Sequence, residues 1–171
     1  MSRQVVLIGT SHVYQWGGCW APIEVVANFL ALLEEVRQNY SVGAIAEEMS
    51  IDSLRLHDRH ASTIADWCKR VGLVHCYCDP SEREQEELGI RNDGVVRYLQ
   101  QVEGFGDDEA ERLIRVEYDK REAQWLARLQ ELNAWPVIFV CGSSHVTSFS
   151  QLLSQNDFQV VVKAANWGAI P

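Results

Sequence analysis

Short apolar runs and helical stripes alternate along this chain. Residues 4–9 open with Gln4 and continue as Val5-Val6-Leu7-Ile8, a short buried strand. From about 22 to 40, Ile23, Val26, Ala27, Leu30, Leu33 and Val36 recur at helical spacing, with Pro22 suited to a first turn. A second buried run, 42–46, leads into Glu47-Glu48. A shorter helix spans 62–71 and stops at Gly72, and 73–78 is a third strand closed by Asp79-Pro80. A long helix from about 107 to 133 precedes a fourth strand at 136–141. Residues 146–153 are helical, and 158–163 form a fifth strand that ends at Asn166-Trp167-Gly168.

Buried apolar runs joined by helices predict a parallel sheet covered on both faces. The expected fold is a three-layer α/β domain over residues 1–171, with a mainly parallel sheet of about five strands. The stretch 81–106 fits this rhythm least well: it is acidic, holds one or two short helices and ends in Gly104-Phe105-Gly106. It reads as a surface excursion, with a lid over the site as the alternative.

Composition narrows the function classes. With 47% apolar and 23% charged residues among 171, the chain is neither disordered nor collagenous. Fifteen Lys and Arg against 24 Asp and Glu give a net charge of −9. That balance opposes extended phosphate neutralisation, so neither nucleic acid nor an anionic membrane is an expected partner. The first apolar run is too short for a signal-peptide core or a membrane span, and no later segment approaches that length. Cys19, Cys68, Cys76, Cys78 and Cys141 form an odd set without a C-x-x-C pair. Reduced structural thiols in a cytoplasmic protein are the expectation.

One signature stands above composition. Gly9-Thr10-Ser11-His12-Val13 follows the first strand, and Gly142-Ser143-Ser144-His145-Val146 follows the fourth. In an open parallel sheet the carboxyl ends of the strands form one edge, and ligands bind in the crevice there. Glycine lets the chain turn sharply and brings backbone close to a ligand. The following N–H groups and hydroxyls favour an anion or oxyanion. Gly9, Ser11, Gly142 and Ser144 are therefore candidate ligand or cofactor contacts. Imidazole is both a common metal ligand and a proton-transfer group near neutral pH, which singles out His12 and His145.

Acids come from the other strand ends. Glu47 and Glu48 end the second strand and Asp79 the third; as strand neighbours, one of the two glutamates faces the crevice. Two histidines with one or two carboxylates suit Zn, Mn or Fe, or general acid–base chemistry without metal. On the long helix, Trp125, Leu126, Leu129 and Leu132 mark the buried stripe, and four residues back it reaches Arg121 and Glu122. Arg121 is then a candidate for an oxyanion, carboxylate or phosphoryl oxygen.

The order of these elements resembles the Tiki/TraB superfamily, which includes erythromycin esterases and ChaN-like haem-binding proteins. The resemblance runs from about Val5 to Val146 and rests on the two strand–GxxH motifs, the glutamate between them and Arg121. It implies an α/β fold with both histidines and the glutamate in one cleft. It also implies metal-dependent peptidase chemistry, metal-free esterase chemistry by His and Glu, or haem binding. With the residues read above, the expectation is a small hydrolase of a peptide, ester or phosphoester, and the alternative is a non-catalytic module that binds a metal, haem or an anion. The chain is shorter than larger relatives and lacks their extra helical material, which points to a small molecule or short peptide as substrate.

Weaker signals remain. His57-Asp58-Arg59-His60 reads as a polar loop or an auxiliary ligand, and His75 as a core histidine. Tyr14, Gln15, Trp16, Trp20 and Trp167 are pocket wall or core edge in equal measure. No G-x-S-x-G elbow or phosphate loop is present, so neither Ser11 nor Ser144 is expected to be a covalent nucleophile.

Overall fold

Five strands, β1 (Gln4–Thr10), β2 (Ala44–Glu47), β3 (Val74–Tyr77), β4 (Val137–Gly142) and β5 (Gln159–Trp167), lie parallel in the order β3-β2-β4-β1-β5. The computed structural model describes residues 3–17 and 21–168, so Cys19 and Trp20 lie outside the described residues. Eight α-helices among those residues connect and flank the strands: α1 (His12–Trp16), α2 (Ile23–Tyr40), α3 (Ile51–Leu56), α4 (Thr63–Val71), α5 (Glu82–Leu88), α6 (Asp93–Glu103), α7 (Asp107–Glu131) and α8 (Val146–Gln155). None of them is long and apolar enough to cross a membrane.

Side-chain alternation splits the core into two layers. Val5, Leu7, Ala44, Ala46, Val137 and Phe139 face one way, under Trp125 and Leu129 of α7 and Phe149 and Leu153 of α8. Val6, Ile8, Ile45, Ile138 and Val140 face the other way, under Phe29, Leu33 and Val36 of α2 and Ile64 and Trp67 of α4. This is the expected three-layer α/β architecture. Trp125 is fully buried, its ring centroid 5.6 Å from Phe139 and 5.3 Å from Phe149. Truncating such a ring to alanine costs about 3–5 kcal/mol, so it fixes α7 firmly on the sheet.

The helix boundaries have local causes. Ser62 caps α4 by accepting the Ala65 N–H at 2.9 Å, and Gly72 ends that helix at φ 74°, a conformation costly for residues with a Cβ. Ser50 caps α3, a helix the periodicity did not predict because its six residues span less than two turns. The strand β5 runs four residues past its expected end. Its register against β1 shifts between Leu7 and Ile8 and again between Ile8 and Thr10, and these irregularities carry Ala164, Ala165 and Asn166 along the edge.

The stretch 81–106 forms α5 and α6 and is fixed to α7. Glu117 is buried and accepts the Arg91 backbone N–H at 3.1 Å, its Nε at 3.0 Å and its Nη2 at 2.8 Å. Lys120 adds bonds to Glu117 Oε2 at 2.9 Å and to the Gly89 carbonyl at 2.8 Å. Neutralising one buried carboxylate from two cations, this clamp holds the start of α6 beside the carboxyl edge of the sheet.

Candidate active site

Because β1 and β4 are adjacent and parallel, with Thr10 opposite Gly142, both G-x-x-H segments leave the same edge side by side. His12 opens α1, and His145 closes a single 3₁₀ turn, Ser143–His145, before α8. A cleft of about 530 Å³ lies between them and the start of α6. Its lining includes Ser11, His12, Glu48, Gly142, Ser144, His145 and Arg121, together with Asn92, Asp93 and Gly94. The stretch 81–106 therefore supplies one wall of the cleft.

Glu48 is the centre of the arrangement. Its Oε1 is 3.6 Å from His12 Nε2, 3.5 Å from His145 Nε2 and 2.7 Å from Arg121 Nη2. Its Oε2 accepts the Gly142 N–H at 2.7 Å. Burial alone pushes this carboxyl up, but Arg121, then His12, His145 and the Gly142 N–H outweigh it, and Glu48 titrates below the ordinary carboxylate range. Arg121 also donates from Nε to Asp79 Oδ1 at 2.9 Å, where the Trp125 N–H arrives at 3.1 Å. With two carboxylates on one guanidinium, burial and the charge of Glu48 raise Asp79 despite Arg121.

Hydrogen counting sets the donor on each ring. Glu122 Oε1 accepts Arg115 Nη2 at 2.7 Å and the Ser148 hydroxyl at 2.8 Å, and lies 2.8 Å from His145 Nδ1. A carboxylate paired with arginine is an acceptor, so His145 Nδ1 donates to it and its Nε2 faces Glu48. His12 Nδ1 lies 2.9 Å from Gln15 Oε1, an acceptor, which leaves its Nε2 in the same condition. Two imidazole Nε2 atoms and a carboxylate oxygen thus converge on one point. Such a set holds a proton on one ring or receives the O–H of a water or substrate.

Several expected site residues lie elsewhere. Glu47 shares the opposite sheet face with Ile45, not the cleft, and bonds His75 Nε2 at 2.8 Å, Gln15 Nε2 at 3.0 Å and the Ser62 hydroxyl. The pleat that turns Glu48 toward α7 turns Glu47 toward α4, which removes it from the catalytic and metal-ligand sets. Gly9 does not line the cleft either: a Cβ there would collide with the Ala165 carbonyl and Val146, so it permits close packing rather than ligand approach. Asp79 sits behind Arg121, facing a second cavity of about 220 Å³ that shares Arg121 and Asn92 with the first.

The donor set does not suit a divalent metal. Among the described residues no group of three or more His, Cys, Asp or Glu side chains is placed to hold one. Glu48, the carboxylate both rings face, has its oxygens taken by Arg121 and the Gly142 N–H, so an added cation would sit against a guanidinium. Haem fits no better, since among the described residues Tyr118 is the one Phe, Tyr or Trp in a lining otherwise made of small, polar and charged groups.

The auxiliary signals resolve as structure. The His57 ring packs against Trp16 at a 32° tilt with centroids 3.8 Å apart, and Tyr14 and Trp167 pack around Phe29 in the α2 layer. His75 is a mostly buried partner of Glu47. Sequence reasoning did not assign Glu122 to His145, Tyr118 to the cleft wall or Arg115 to Glu122. The signal lay in the helix spacing, since Arg115, Tyr118, Glu122 and Trp125 recur every three or four residues. Burial, followed by a 2.6 Å bond to Asp93, pushes the Tyr118 phenol up to about 12. No protein-family model matches the chain, and comparisons with curated proteins and with solved structures return no match.

Proposed function

We propose that this protein is a small hydrolase of carboxylic esters or amides that uses two histidines around a fixed glutamate, without a metal. The observation that carries this reading is the convergence of His12 Nε2 and His145 Nε2 on Glu48 Oε1, at 3.6 and 3.5 Å, on the wall of an open cleft. The Tiki/TraB resemblance supports the same class of chemistry.

His145, buried and oriented by the Glu122 carboxylate, is the general base; His12, 37% exposed, is the general acid. His145 Nε2 takes a proton from water as the water oxygen bonds to the carbonyl carbon and the C=O electrons move onto oxygen. The amino-terminal end of α8 supplies positive potential for that oxyanion, while Arg121, held between Glu48 and Asp79, fixes the Glu48 carboxylate. When the tetrahedral species collapses, the C–O or C–N bond breaks and His12 protonates the departing alcohol or amine. The proton left on His145 returns to His12 at the shared Glu48 oxygen.

The cleft also bears on substrate. Arg121 is neutralised by Glu48 and Asp79, and Asp93 adds another carboxylate, so a phosphoester would meet net negative charge. Uncharged or cationic esters and amides of small molecules or short peptides fit better.

Screening such esters and amides with purified protein tests the reading. Turnover should survive chelator and disappear in His12→Ala and in His145→Ala, with both variants retaining the wild-type circular dichroism. Retained turnover in either folded variant would overturn the assignment, and binding without turnover across the panel would favour a non-catalytic module.

A further inference from the structure

Glu47 is fully buried and bonds neither Lys nor Arg. A buried carboxylate without such a partner is costly unless its lone pairs are met, and here three donors meet them. The Ser62 hydroxyl and His75 Nε2 bind Oε1, and the amide nitrogen of Gln15 binds Oε2 at 3.0 Å. Gln15 is itself fully buried, and the same nitrogen points to the Glu48 carbonyl at 3.5 Å. Both neighbours of that nitrogen are acceptors, which fixes the amide with its NH₂ toward Glu47 and its Oε1 toward His12 Nδ1, 2.9 Å away.

We infer that Glu47 and Gln15 are positioning residues that act from the opposite face of the sheet to hold His12 as its Nδ1–H tautomer, with Nε2 presented to Glu48 and the cleft. The orientation of each hydrogen follows from the one before it. An acceptor-only oxygen on Glu47 faces the NH₂; the amide oxygen therefore faces the ring; the ring must donate. Protonation of Glu47 on Oε1 would not reverse the order, because Oε2 would still accept from Gln15. Glu47 and Glu48, adjacent in the chain, thus address the same imidazole from its two nitrogens, one through Gln15 and one across 3.6 Å. The catalytic consequence rests on the hydrolase reading, but the tautomer is observable without turnover.

Two-bond ¹H–¹⁵N correlation spectra of uniformly labelled protein identify which ring nitrogen carries the proton, with the His12 signals assigned by their loss in His12→Asn. Wild-type protein above the ring's titration should show His12 protonated at Nδ1. Gln15→Met removes the acceptor, and Glu47→Met removes the oxygen that holds the Gln15 NH₂ and leaves that amide able to turn. Each should move His12 toward the Nε2–H form, while Glu47→Asp keeps the wild-type pattern. If the protein hydrolyses an ester, kcat should fall on the order of 10²-fold in Gln15→Met with KM nearly unchanged, as expected for a wrongly protonated catalytic ring.

An Nε2–H ring in the wild type would overturn the inference even if neither variant folds. So would an unchanged Nδ1–H ring in folded Gln15→Met. A tautomer shift in protein that hydrolyses nothing would keep the relay and remove the hydrolase reading.

Discussion

Glu48 and Gly142 are joined by a 2.7 Å hydrogen bond from the Gly142 N–H to Glu48 Oε2, across 94 positions of sequence. A Cβ on Gly142 would sit 3.3 Å from both Glu48 Oε2 and His12 Nε2. Gly142 has φ −59° and ψ 143°, a conformation open to any residue. Gly142→Ala therefore tests crowding without backbone strain. It is expected to displace the carboxylate and the ring by a few tenths of an ångström and to reduce turnover about tenfold. Stability should change by no more than about 1 kcal/mol in a urea titration. Wild-type turnover in this variant would show that the cleft does not depend on that spacing.

Asp79 and Glu48 flank one guanidinium and respond to pH in opposite directions. Glu48 titrates below its ordinary range, so its stabilisation is present at neutral pH and is lost as pH falls through the lowered value. Asp79 is raised by burial and by the charge of Glu48, so it favours the fold while protonated, and that contribution is lost as pH rises through the raised value. Asp79→Asn keeps an oxygen for Arg121 and Trp125 but carries no titrating proton. Its melting temperature relative to wild type should climb between about pH 4 and about pH 7. A relative fall over that interval would mean that Arg121, not burial, governs Asp79.

The wall built from 81–106 depends on Arg91 and Glu117. In Arg91→Ala, Glu117 keeps Lys120 and loses two side-chain hydrogen bonds. Amide exchange in α5 and α6 should quicken about threefold or more, with the protection of β1 and β4 unchanged. Equal acceleration throughout the chain, or none, would count against the clamp.

Cys76 and Cys78 lie with sulfurs 3.7 Å apart at the end of β3. The hydrogen bond from Cys78 holds the half-buried Cys76 thiol down to about 7, whereas burial pushes Cys68 up to about 12. Iodoacetamide at pH 7 should label Cys76 ahead of Cys68, Cys78 and Cys141 in peptide mass maps. Cys78→Ala should shift the labelling profile of Cys76 to higher pH. Preferential modification of Cys68 or Cys141 would contradict this.

Much of the scaffold was legible because buried parallel strands are continuous apolar runs and their connections carry helical stripes. Both histidines were legible because equivalent motifs followed two strands whose carboxyl ends must share an edge. Arg121 emerged from counting back one helical turn from Trp125. Other assignments needed information that no local pattern holds. Whether Glu47 or Glu48 enters the cleft depends on pleat phase, which the sequence leaves as a pair of alternatives. The reason for Gly9 lies in Ala165, brought over it by the irregular register of β5. The acidic partner of His145 is Glu122 on α7, one residue beyond the arginine that had drawn attention. Tertiary approach, rather than spacing, selected it.

His12 and His145 follow two adjacent strands inside the sheet, β1 and the central β4, with β2 beyond β4 and β5 beyond β1. Fraying on warming starts at margins, and here the outermost margin on one side is the four-residue β3. The paired rings sit where the last cooperative contacts break. Thermal inactivation should accordingly track the midpoint of whole-domain melting instead of preceding it.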